Sequence, residues 1–290
     1  RKWAYEKKNI NSESAKIIVF DGNFHGRTTT IISFSNDSDA RDNFGPYTPG
    51  FISVPYNNID ALKTTLISSH NIAGVLIEPI QGEAGVIVPD NGFLRCVKDL
   101  CVEHNILFIA DEIQTGIART GKMLACDHES IKPDILILGK ALSGGVLPVS
   151  AVLADNDIML CIKPGEHGST YGGNPLACQV AIAALDIVQK EKLCDNSEEL
   201  GYLFRKELTQ FMQRNNLITQ VRGKGLLNAI VINDSPDSST AWDICLKLKD
   251  NGLLAKPTHG NIIRLAPPLT INKNQLLDCL DIIKSTISRF

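Results

Sequence analysis

Two residues stand out by type and position. Asp111 closes the apolar run Ile106–Ala110, and Lys140 follows Gly139 at the end of a second run, Ile135–Leu138. Runs this short, bounded by polar turns, read as strands buried on both faces of a parallel sheet. If the strands are parallel, both residues emerge at one carboxyl edge, where open α/β sheets bind ligands. A lysine desolvated there has a lowered pKa, and its neutral amine can attack an aldehyde. The alternative is a lysine whose head reaches solvent past the strand end.

Asp111 narrows the chemistry. An acid beside a Schiff-base lysine is what pyridoxal phosphate requires, since a carboxylate keeps the pyridine nitrogen protonated and the ring electron-withdrawing. The structural alternative is a helix N-cap, with Glu112 a solvated neighbour. Ser143-Gly144-Gly145 reads as a tight turn that exposes the lysine.

Phosphate is held by backbone donors and hydroxyls. Ser169-Thr170, inside the loop Lys163–Pro175, could supply them or simply form a turn. Gly116–Met123 matches a nucleotide-binding GxxxxGK pattern, but Met123 stands where the Mg²⁺-binding hydroxyl belongs, so it reads as connecting structure. Arg264 lies inside the apolar strand Ile262–Leu265, where an unpartnered guanidinium costs several kcal/mol. It either pairs with a fixed acid, Glu83 being the obvious one, or waits for a carboxylate substrate. Arg27 follows the Gly22–Gly26 turn.

Strands read at Ala15–Phe20, Ile52–Tyr56, Ala73–Ile77 and Val149–Ala154 join the two already named. A helix at Ala61–Ser69, capped by Asn58 or Asp60, and another at Phe93–Glu103 alternate with them. That alternation means βαβ units and a mostly parallel sheet. After the long helix Leu176–Lys190 the pattern changes to helices at Ser197–Gln213, Ala241–Asp250 and Gln275–Ile287, with strands Leu226–Val231 and Ile262–Leu265. The expected division is a large domain over 1–187 and a smaller α/β domain over 188–290.

With 43% hydrophobic residues and a net charge of -3 over 290 residues, the chain can build a sizeable core. That balance points to no nucleic-acid partner, and no apolar run is long enough for a membrane helix. The 8 cysteines form no CxxC pair, so neither a disulfide framework nor a metal site is expected. Reduced thiols suit cytosol or mitochondrial matrix.

Taken together, the chain resembles the subgroup III, fold-type I aminotransferases. The resemblance rests on GNFHGRT (22–28), FGPYTPGF (44–51), EPIQGEAG (78–85), FIADEIQTGIARTGK (108–122) and ILGKALSGG (137–145). It continues through PGEHGSTYGGNPLACQVAIAAL (164–185), VRGKGLLNAIV (221–231), NGLLAKPTHG (251–260) and IIRLAPPL (262–269). It implies a mostly parallel seven-stranded sheet with helices on both faces, plus a smaller C-terminal α/β domain. It also implies pyridoxal 5'-phosphate as cofactor. Lys140 would form the Schiff base and shuttle the proton, and Asp111 would pair with the ring nitrogen. Gln114 would bond the ring hydroxyl, with Phe24 and Ile113 on the two ring faces. Ser169 and Thr170 would reach the cofactor phosphate of a partner subunit, making a homodimer or a higher oligomer. Arg27 would hold the substrate α-carboxylate. Arg264, covered by Glu83, would be released to grip the distal carboxylate of 2-oxoglutarate. GEHGSTYGGNPLACQVAIAAL and GLLAKPTHG point to members acting on the δ-amino group of ornithine, acetylornithine and 4-aminobutyrate being alternative donors.

One departure matters. Arg1–Tyr5 reads as the last turns of a helix whose start is missing. The family's Gly-rich phosphate loop and its substrate-contacting tyrosines lie upstream of that point. A chain truncated there is expected to hold its cofactor weakly and to turn over little.

Overall fold

A computed structural model describes residues 1–290. The chain divides into two compact units. One comprises Arg1–Pro79, Pro89–Gln114 and Cys126–Leu185. The other comprises Ile80–Val88, Thr115–Ala125 and Asp186–Phe290.

The first unit opens with helix α1 (Lys2–Lys7) and strand β1 (Lys16–Phe20), then the single-turn helices α2 (Thr29–Ile32) and α3 (Ser38–Arg41). Strand β2 (Phe51–Val54), helix α4 (Ile59–Ser68), strand β3 (Ile72–Ile77), helix α5 (Phe93–Glu103), strands β4 (Leu107–Asp111), β5 (Ile135–Leu138) and β6 (Ala151–Ala154) and the short α6 (Asn156–Met159) follow. Helix α7 (Pro175–Lys190) begins after a long exposed loop. The strands form one six-stranded sheet, ordered β2-β1-β3-β4-β5-β6. Only the β5–β6 pair is antiparallel.

Alternation along each strand explains how both faces are covered. Ile18, Phe20, Val75, Ile77, Phe108 and Ala110 build one core with residues of α4 and α5. Val19 and Leu76, with Ile17, Ile109 and Ile137, pack on the other face against Phe34 and Ile31. Asn58 caps α4 by accepting the Ala61 N–H at 2.9 Å.

Two expectations change here. Seven strands are expected from the resemblance, and this chain forms six, with β2 and β6 as edges and no further segment paired to either. Strand β5 is half-buried rather than enclosed on both faces. Its outer neighbour is the edge strand β6, whose Val152 and Leu153 are exposed.

The second unit holds helix α8 (Leu193–Met212), strands β7 (Ile218–Lys224) and β8 (Leu227–Ile232), helix α9 (Thr240–Asp250), strands β9 (Lys256–Thr258) and β10 (Ile262–Leu265) and helix α10 (Lys273–Ile287). The strands form an antiparallel sheet ordered β7-β8-β10-β9. Ile230, Ile232, Ile263 and Leu265 face a core shared with α8, α9 and α10. The alternate residues Leu227, Ala229 and Ile262 pack with Ile80 and Val86. Residues 80–88 therefore cover the sheet face opposite the helices. Strands β7 and β9 escape the sequence reading because ITQVRGK and KPT lack the apolar alternation that marks a strand.

Candidate active site

The order β2-β1-β3 reverses the direction of winding between β1 and β3, and a doubly wound sheet opens its ligand crevice at such a point. Both carboxyl ends there carry functional groups. After β1 comes the turn Gly22–Gly26, in which Gly26 takes φ 116, a backbone state that favours glycine. The turn is fastened by buried Asn23, whose Nδ2 donates to the Phe20 carbonyl at 2.6 Å. After β3 comes Glu78, 5% exposed, whose Oε2 accepts the Phe24 N–H at 2.9 Å. The Tyr56 hydroxyl donates to the Glu78 and Pro79 carbonyls, both at 3.0 Å, and holds that strand end in turn.

Asp111 is the last residue of β4 and pairs with Ile137 of β5, three positions before Lys140. The two residues thus share one sheet edge, as their spacing predicts. No helix starts at Asp111. Its Oδ1 accepts the Ile113 N–H at 3.0 Å, and its Oδ2 lies 2.7 Å from Nδ1 of His25. The two side chains are 5% and 3% exposed. His25, two residues before Arg27 and carried by the same turn as Phe24, is a site residue that sequence reasoning passes over.

Ile113 and Gln114 are half-buried. Ile113 lies over Gly139, where any Cβ would stand 3.4 Å from its Cγ1 and Cγ2, so the isoleucine sits against the backbone just before Lys140. Lys140 opens a 3-10 turn, Lys140–Ser143, with φ 40 in the left-handed region. Ser143 Oγ closes the turn onto the Lys140 carbonyl at 2.8 Å, and Gly144 and Gly145 follow at positive φ. The lysine itself is exposed, as in the alternative of a head that reaches solvent past the strand end.

Glu112 also differs from expectation. It is 1% exposed, and its Oε1 accepts the Cys126 N–H at 2.8 Å, so a backbone donor pays for its burial. Burial, and then Glu112, push the Cys126 thiol far up. Arg27 is exposed, with its Cζ 5.8 Å from the Phe24 ring centroid. Ser169 and Thr170 lie in the exposed loop and make no hydrogen bond to the Asp111 group; Ser169 Oγ accepts the Gly172 N–H at 2.9 Å.

In the second unit, Arg264 of β10 projects from the face that residues 80–88 cover. Its Nη1 meets Glu83 Oε1 at 2.7 Å. Lys256, directly across from Arg264 on β9, brings its Nζ to 3.5 Å from the other carboxylate oxygen. Glu83 therefore lies between two cations. Thr258 Oγ1 donates to the Glu83 carbonyl and fixes the backbone there.

The rival nucleotide reading fails on geometry as well as on Met123. The N–H of Ile117 is consumed by the Met123 carbonyl at 2.6 Å, and Ile117 and Ala118 are buried. Arg119 instead clasps the segment within the second unit, donating to the Pro267 and Leu226 carbonyls at 2.6 and 3.1 Å. Desolvation lowers its guanidinium to about 10.

The donor set suits pyridoxal 5'-phosphate. An accessible primary amine can take the aldehyde, and a buried, doubly held carboxylate can still accept from a ring N–H. Half-buried Phe24 and Ile113 offer an aromatic and an aliphatic surface for a planar ring.

Comparison with known proteins agrees with this chemistry. The family description "Aminotransferase class-III" matches residues 1–287. Mitochondrial ornithine aminotransferase of Rattus norvegicus is 57% identical over 290 residues, covering 100% of this chain and 65% of that protein. Among solved structures, acetylornithine aminotransferase from Elizabethkingia anophelis is 61% identical with a TM-score of 0.89, covering 100% of this chain and 69% of that one. Ornithine aminotransferase from Toxoplasma gondii ME49 is 46% identical with a TM-score of 0.95, covering 99% and 68%. The chain thus spans 65% of the rat relative's length.

Proposed function

The chain belongs to the class-III aminotransferases, and from that premise we propose that it transfers the δ-amino group of L-ornithine to 2-oxoglutarate, giving glutamate 5-semialdehyde and glutamate. The observation that carries this reading is the Glu83–Arg264 pair at 2.7 Å. A guanidinium masked by a carboxylate makes no demand for a second carboxylate on the donor, and ornithine has only one. Unmasked, the same guanidinium suits the second carboxylate of 2-oxoglutarate, which it can bind through two parallel hydrogen bonds.

Pyridoxal 5'-phosphate, the cofactor of this family, supplies an aldehyde and an electron-withdrawing ring. The protein supplies the rest. Lys140 offers the amine that would retain the cofactor, and as a base it would move the proton at the substrate's reacting carbon. Asp111 holds the proton on the ring nitrogen, with Gln114 bonding the ring hydroxyl. Phe24 and Ile113 bracket the ring. Arg27 takes the substrate α-carboxylate.

The active unit is a homodimer on this reading, with Ser169 and Thr170 serving the partner's cofactor phosphate. Large apolar side chains left exposed in the first unit, Val152, Leu153, Tyr171 and Leu176, are consistent with it. Relatives from rat, Drosophila melanogaster and rice are named as mitochondrial, which supports the mitochondrial matrix as its compartment.

N-acetylornithine as donor is the second reading, favoured by the 61% identity to the Elizabethkingia anophelis protein. Steady-state kinetics with ornithine, N-acetylornithine and 4-aminobutyrate side by side separate the two. A kcat/KM for N-acetylornithine above that for ornithine would reverse the assignment.

A further inference from the structure

The antiparallel sheet of the second unit carries a row of cations. Arg222 of β7 pairs with Ala229 of β8, Ala229 with Arg264 of β10, and Arg264 with Lys256 of β9. Residues directly opposite each other project from one face of a sheet. Here it is the face that residues 80–88 cover, since Ala229 packs there with Ile80 and Val86. Arg264 and Lys256 are like charges side by side, which destabilises a strand pair unless an anion lies between them. Glu83 is that anion. Its Oε1 is 2.7 Å from Arg264 Nη1, and its Oε2 is 3.5 Å from Lys256 Nζ.

The backbone that carries Glu83 is held at two carbonyls. Thr258, two residues along β9 from Lys256 and so on the same face, donates its hydroxyl to the Glu83 carbonyl. Arg222 donates to the Gly85 carbonyl through Nε at 3.0 Å and Nη2 at 2.7 Å. With both carbonyls held, Glu83 leaves Arg264 by turning its side chain, not by moving its backbone. Lys256 already stands at the other carboxylate oxygen. Its side chain is 66% exposed, against 16% for Arg264. The lysine is therefore the open cation of the two, on a flexible stem that can follow the carboxylate.

We propose that Lys256 is a positioning residue for the acceptor half of the reaction: it takes over the Glu83 carboxylate when Arg264 turns to the distal carboxylate of a dicarboxylate substrate. The inference rests on the function proposed above. Lys256 acts through Glu83 and does not touch the substrate. Charge matching supplies the reason. With ornithine, one carboxylate serves both cations. With 2-oxoglutarate, the substrate brings a second carboxylate to this place, and each cation then has its own. Without Lys256, a released Glu83 loses this cation while still partly desolvated, so the release of Arg264 becomes harder.

Four proteins test this: Lys256→Gln, Lys256→Arg, Glu83→Gln and the Glu83→Gln/Lys256→Gln double variant, each with the whole chain and pyridoxal phosphate. Two quantities are measured, the ratio of kcat/KM for 2-oxoglutarate to that for ornithine, and the dissociation constant of glutarate, a dicarboxylate with no amine to react. Lys256→Gln is expected to lower the ratio and weaken glutarate by roughly fivefold each, the upper end for a solvent-exposed ion pair. Lys256→Arg keeps the charge and is expected to restore most of both. Glu83→Gln is expected to move the ratio the other way, and adding Lys256→Gln to it should then change neither quantity. A loss of equal size in the Glu83→Gln background would mean that Lys256 binds the substrate itself, and overturns the proposal. So would a Lys256→Gln protein that matches the wild type in both quantities. In either case the function stands. A wild-type protein that moves no amino group from ornithine to 2-oxoglutarate overturns the function and this inference together.

Discussion

Arg264 and Glu83, 181 residues apart in sequence, meet at 2.7 Å, and Lys256 approaches the same carboxylate at 3.5 Å. Side-chain exposures of 16% and 23% make the Arg264–Glu83 pair partly desolvated. Glu83→Gln removes the masking charge and is predicted to raise kcat/KM for glutamate relative to ornithine by roughly tenfold, the scale of a close charge pair. Paired donor kinetics check it. An unchanged ratio would make the pair a plain structural bridge.

Lys140→Ala should abolish the visible cofactor band and lower transamination by roughly 10²–10⁴-fold, the usual contribution of a positioned proton carrier, or more. Lys140 is exposed, so unfolding free energy should change by no more than about 0.5 kcal/mol. Absorbance and urea titration on one preparation read both. A large loss of stability would assign the lysine to the fold instead.

Glu78 holds the turn that bears Phe24 and His25. Glu78→Ala leaves the Phe24 N–H without this acceptor and should cost about 1–3 kcal/mol, with weaker cofactor binding. Glu78→Gln keeps an acceptor of the same shape and should recover much of both. Thermal melts with and without pyridoxal phosphate distinguish the two variants.

Cys101 is fully buried, and desolvation pushes its thiol from an ordinary value near 9.0 to about 12. A raised thiol contributes stability that is whole below pH 9.0 and is lost as pH climbs toward 12, because the unfolded chain ionises first. Urea unfolding at pH 8 and 10.5 should show that fall. In Cys101→Ala the slope should be shallower by up to one proton, about 1.4 kcal/mol per pH unit. Equal slopes in the two proteins would show that Cys101 ionises without unfolding.

The placing of Asp111 and Lys140 was legible because each ends a short apolar run, and parallel pairing of adjacent strands does the rest. The Glu83–Arg264 pair was legible because an arginine inside an apolar strand needs an acid. His25 was not. Its partner lies 86 residues away, and β3 stands between the strands that carry them, so the contact depends on sheet order and on how the turn after β1 leans across it. Glu112 was misread because its burial rests on partners distant in sequence, among them the Cys126 N–H brought round by the chain between β4 and β5.

The full-length protein reconstituted with pyridoxal phosphate, mixed with ornithine and followed by absorbance, tests the central claim most directly. The account predicts a visible band that ornithine bleaches faster than N-acetylornithine or 4-aminobutyrate, that 2-oxoglutarate restores, and that Lys140→Ala lacks. A wild-type band untouched by ornithine, or one that Lys140→Ala retains and ornithine still bleaches, would contradict it.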